Sequence, residues 1–123
     1  MAAISHILLE LAREPGHPQG DRNHGYHLYL PLTEDGVIDV AAYERSRSSC
    51  RVRRFRPNEA EVHGRVLHGP GGRWFFDYDL DRDTDNEAGF RLGTERFVPG
   101  EYVSVREDDG KLHTFQVILV RRE

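Results

Sequence analysis

Four groups of residues have types and spacings that could do chemistry. The first is an alternating acidic run. Asp77, Asp79, Asp81, Asp83 and Asp85 occupy every second position, and Glu87 continues them. In an extended chain these carboxylates point to one side, and Phe76, Tyr78 and Leu80 to the other. Calcium and magnesium take oxygen ligands, so Asp79, Asp81, Asp83 and Asp85 form a candidate metal site. The run does not fit an EF-hand loop. Counted from Asp77, the sixth position is Arg82 and the twelfth Ala88, where that loop needs glycine and glutamate. The competing expectation is an amphipathic strand whose solvated acidic face runs into a loop.

The second group is basic. Arg45, Arg47, Arg51, Arg53, Arg54 and Arg56 follow one another with no acid among them. A guanidinium presents a planar fork to a carboxylate or phosphate, which makes Arg51, Arg53, Arg54 and Arg56 a candidate anion-binding surface. Clustered arginines also neutralise the phosphates of nucleic acid. No RNA-recognition signature or helix-turn-helix pattern accompanies them, so a nucleic-acid partner has only this weak support. The alternative is that these arginines pair with the acidic run or stand in water.

The third group is His17, His24 and His27, with Asp21 between, which could hold a transition metal in a loop. The fourth is Cys50 beside Arg51. Positive neighbours favour a thiolate. Strand parity, however, puts Arg51 and Arg53 on the face opposite Cys50, so the expectation is a small buried hydrophobe. None of the G-x-S-x-G, H-E-x-x-H, P-loop or G-x-G-x-x-G patterns occurs, and whether the chain is an enzyme stays open.

The elements that must position these groups are mostly strands. Ile4 to Arg13 fits a helical stripe and a strand equally, and is read as a strand because the next apolar segment could pair with it. Tyr26 to Leu32 alternates clearly, with Tyr26, Leu28, Leu30 and Leu32 on one face and His27 and Tyr29 on the other. Asp39 is suited to cap a short helix over Val40 to Arg47. Cys50 to Arg56, Glu61 to His68 and Arg73 to Leu80 read as an antiparallel meander, with Gly64 marking a bulge or a close backbone approach. Asp81 to Gly93 reads as a polar loop. Tyr102 to Glu107 and Leu112 to Arg121 form a hairpin across Asp108-Asp109-Gly110. The expected fold is mainly β: a single small antiparallel barrel or sandwich of about seven strands with one short helix, spanning 1–123 as one domain.

Composition agrees. The 123 residues include one cysteine and carry a net charge of −4. That charge is a cancellation: residues 45–56 carry +6, and residues 77–87 carry one basic and six acidic groups. No apolar run approaches the length of a membrane helix, and the first residues lack a signal-peptide pattern. With a lone cysteine this points to the cytoplasm.

Several blocks together resemble a group of small uncharacterised bacterial proteins of about this length. They are His24-Gly25-Tyr26, Cys50-Arg-Val-Arg-Arg-Phe55, Trp74-Phe-Phe-Asp-Tyr-Asp79, Glu87-Ala-Gly-Phe-Arg-Leu-Gly93, Phe97-Val-Pro-Gly-Glu-Tyr-Val103 and His113-Thr-Phe115. The resemblance covers nearly the whole chain and implies one domain. It brings no activity, cofactor or site residues with it. The functional expectation is therefore a non-enzymatic β-barrel binding or interaction module for a protein or an anionic ligand, without a cofactor and without a membrane. The alternative is a metal-binding protein or metal-dependent enzyme that uses the acidic run or the histidine-rich loop.

Overall fold

A computed structural model describes residues 3–78, the backbone of 87–89, and 93–123. The strands are β1 (Ile4–Leu11), β2 (Asp21–Pro31), β3 (Arg51–Phe55), β4 (Val62–His68), β5 (Trp74–Tyr78), β6 (Glu87–Gly89), β7 (Tyr102–Arg106) and β8 (Leu112–Arg122), with helix α1 (Val40–Arg45) between β2 and β3. All neighbouring strands pair antiparallel, and β8 returns to β1, so the sheet closes into a barrel. Seven of the strands are those expected. The addition is β6, inside the segment read as a loop. It pairs with β5 through Glu87–Gly89 and meets β7 at Ala88, opposite Arg106. Three residues are too few to show alternation in the sequence.

The core follows the period of two. Ile7, Leu9 and Leu11 of β1, Tyr26, Leu28 and Leu30 of β2, and Val103, Val105, Phe115 and Val117 of the last hairpin are buried. The first segment is thus a strand, as its pairing with β2 requires. The helix begins where Asp39 caps it: its carboxylate accepts from the Ala42 backbone N–H at 3.0 Å. One end of the barrel is covered from this side. Tyr43 of α1 donates its hydroxyl to the Val66 carbonyl at 2.8 Å and meets Trp74 edge-on, while His68 stacks flat on Trp74 with ring centres 4.1 Å apart. Among the described residues, no helix is long and apolar enough to cross a membrane.

Two glycines let the strands approach. Gly64 lies between Val52 and Tyr78, where a Cβ would run into the Asp77 carbonyl and the Tyr78 backbone. This is the close approach expected there. Gly25 lies between Glu10 and Phe55, where a Cβ would meet the Leu9 carbonyl oxygen and the Phe55 ring.

Gly25→Ala is expected to destabilise the fold by about 2 kcal/mol or more, through steric overlap with the Leu9 backbone on one side and the Phe55 ring on the other. Gly16→Ala has no atom within 4 Å to strike and meets only the strain of its φ of +91°. It is expected to cost about half as much. Urea unfolding of the two variants checks this; equal losses would contradict it.

Candidate functional sites: the polar end and the basic wall

Strand β3 divides the arginines. Arg54 follows Cys50 and Val52 into the barrel and is only 6% exposed. Arg51 and Arg53 take the outer face. Arg56 lies just past the end of β3, with its side chain 14% exposed. The four arginines proposed as one surface are therefore split, because a strand sends successive side chains to opposite faces.

The inward pair belongs to a network at the end of the barrel opposite α1, centred on Glu107. Its side chain is 2% exposed. Tyr26 donates its hydroxyl to this carboxylate, and His24 donates Nε2–H at 3.0 Å. The Arg56 guanidinium lies 3.3 Å from Glu107 and 3.1 Å from Asp108. Arg54 lies 3.7 Å from Asp108, with its guanidinium over the Tyr78 ring. His113 bridges two loops: Nδ1 faces Glu14 at 3.1 Å, and Nε2 faces Asp109 at 2.9 Å and Glu107 at 3.7 Å. Phe115 packs edge-on against both Tyr26 and His24.

The electrostatics follow from this geometry. Burial pushes the Glu107 carboxyl upward, but hydrogen bonds from His24 and Tyr26 and the Arg56 charge outweigh it and leave the carboxyl below its ordinary value. Burial likewise lowers the His113 pKa, yet Asp109, Glu14 and Glu107 raise it on balance. Both ring nitrogens face carboxylates, which suits an imidazolium. The network brings Arg54, Arg56 and both histidines against carboxylates. It binds three loops together more readily than it offers an open charge to a ligand.

On the outside, two cross-strand rows run over β2, β3 and β4. One reads Tyr29, Arg51, Arg65 and ends at Asp77 of β5. The other reads His27, Arg53, His63. Arg53 lies 3.3 Å from Glu61, and Arg65 lies 3.8 Å from Asp77. His6 of β1 hydrogen-bonds His27 between ring nitrogens at 2.8 Å and stacks on Tyr29, with ring centres 4.8 Å apart and planes within 8°. Burial, followed by the Arg53 charge, lowers the His27 pKa to about 4. Burial lowers that of His6 as well. A shallow depression of about 270 Å³ opens among Tyr29, Ser49, Arg51, Arg53 and His63. A larger groove of about 890 Å³ lies elsewhere, outside β1 and β8 beside Tyr102.

The metal expectations fare differently. Asp79, Asp81, Asp83 and Asp85 lie outside the described residues. His24 points into the barrel beside Glu107, and His27 lies on the outer wall beside His6. They occupy opposite faces of β2 and cannot share an ion with His17 in the β1–β2 connection. Among the described residues, no group of three or more His, Cys, Asp or Glu is arranged to hold a metal. Cys50 is buried, and burial raises its thiol pKa, as expected of a packed thiol. Glu107, Tyr26 and His113 were missed as a group. Parity did place Tyr26 inward, but nothing local joins residues 81 positions apart. Arg65 and His63 were missed on the wall, although β4 parity puts both opposite Val62, Gly64 and Val66.

Glu107→Ala is expected to cost about 3–5 kcal/mol, because it removes the buried acceptor that His24, Tyr26 and Arg56 share and leaves Arg56 only its contact with Asp108, and Glu107→Gln should cost less. Stability should also peak near pH 6.5. His113, raised in the fold, contributes fully below its ordinary 6.5, and that contribution is lost as pH rises through the raised value. His27 acts in the opposite sense: the unfolded chain takes up its proton first, so stability falls between 6.5 and about 4. Glu107 adds a further loss as pH falls through its lowered value. Urea unfolding from pH 3 to 9 should show His113→Gln flattening the alkaline limb, and His27→Gln making the acid limb shallower above the carboxylate range, where His6 still contributes in the same sense. Unchanged limbs would contradict the assignments.

No family model, no curated protein and no solved structure matches this chain.

Proposed function

We propose that this barrel is a non-enzymatic binding module that takes an anionic ligand on the outer wall of β2, β3 and β4. The observation that supports it is the pair of rows that sets Arg51, Arg53, Arg65 and His63 on one continuous face. Guanidiniums on adjacent strands give an anion several forked donors at once. Strands closed into a barrel hold them at fixed spacing, which lowers the cost of ordering them on binding. Glu61 and Asp77 at the margin keep two of the side chains poised and are exposed enough to be displaced by a multivalent anion. The polar end lacks this character, because its cations already face buried or half-buried carboxylates. We place the module in the cytoplasm on its single cysteine.

Inorganic polyphosphate is the probe, since it carries charge and no other recognition feature. Titrated into ¹⁵N-labelled protein, it is expected to shift amide signals of β2, β3 and β4, with affinity falling steeply as salt rises. Arg51→Glu with Arg53→Glu should weaken binding about tenfold or more. Shifts confined to the Glu107 end, or no binding at low salt, would overturn the proposal.

A further inference from the structure

We infer that the wall recognises a nucleotide unit, a planar heteroaromatic ring carrying a phosphate, with the ring against Tyr29 and the phosphate on Arg51 and Arg53. This rests on the anion-binding reading above and names the chemistry of its ligand.

The argument begins with how Tyr29 is held. His6 and Tyr29 face each other across β1 and β2, and Tyr29 and Arg51 across β2 and β3, so the three lie in one row. The His6 and Tyr29 rings are parallel at 4.8 Å, about the spacing between strands. They therefore stand out from the wall side by side. His6 is itself fixed: it is 9% exposed, hydrogen-bonded to His27 and stacked on it as well. One face of Tyr29 is thus occupied by a rigid neighbour. By register, the other face turns toward β3, where the depression of about 270 Å³ begins.

The remaining lining matches the rest of such a ligand. Arg51 and Arg53 are two residues apart on one face of β3, and their guanidiniums suit phosphate oxygens. Ser49 supplies a hydroxyl, a common phosphate or sugar contact. His63 borders the far side as a second ring. An acidic peptide would use the arginines but leave the Tyr29 face idle. A base stacked on tyrosine uses both. The unit could be a free nucleotide or one residue of a single strand, and the chemistry at the wall is the same.

The test compares three probes by fluorescence anisotropy and competition at low salt. They are a labelled twelve-residue single-stranded DNA, an abasic oligomer of the same length, and adenosine monophosphate as competitor. The base-bearing strand is expected to bind about tenfold tighter than the abasic one. Tyr29→Leu, which keeps apolar bulk without a ring, should erase that preference, its fold being checked by circular dichroism and a cooperative melting transition. Tyr29→Phe should retain the preference. Competition by adenosine monophosphate that depends on Tyr29 supports a free nucleotide; preference without such competition supports a strand. Equal binding of the base-bearing and abasic oligomers would overturn the nucleotide inference and leave the anion-binding wall standing. Binding of neither would overturn both.

Discussion

The carboxylate of Glu107 is the point on which the described parts of the fold converge. It belongs to the turn between β7 and β8. Its donors come from β2 and from the residue after β3, and His113 carries the contact onward to Glu14 after β1. A single buried charge thereby connects the first three strands with the β7–β8 hairpin, which is distant from them in the sequence. Ionising a carboxylate inside a barrel is unfavourable unless several donors meet it. Here Tyr26, His24 and Arg56 do so. The requirement works in both directions: the donors need the carboxylate as much as it needs them. This sets the register of the turn more tightly than apolar packing alone would.

Much of the fold could be read from residue alternation, because alternation is a local property. Tyr26, Leu28 and Leu30 pointed inward in the sequence and are buried in the structure. The cap at Asp39 and the hairpin at Asp109-Gly110 are equally local, and both stand where they were expected. The site was harder to read for two reasons. Arg51, Arg53, Arg54 and Arg56 look like one group by proximity, and parity alone was enough to separate them. The network around Glu107 depends on contacts between residues about 80 to 100 positions apart, which no spacing rule reveals. His24 and His27 illustrate the same limit. Three residues apart in a helix they could share a ligand; in β2 they stand on opposite faces.

The barrel thus uses its charge in two ways. At the polar end, opposite charges are buried together and hold loops in place. On the wall, cations sit in rows whose partners lie at the margin and are partly exposed. A mild net charge of −4 describes neither region. It is the closed sheet that keeps them apart, since its interior admits only side chains that arrive already matched.

The stacking of His68 on Trp74 has an optical consequence. Trp74 is the chain's lone tryptophan, and it lies 3% exposed at the end covered by α1. The protein's indole fluorescence is therefore a reporter of one end of the barrel, sensitive to the seating of Tyr43 and His68 against that ring and remote from the Glu107 network.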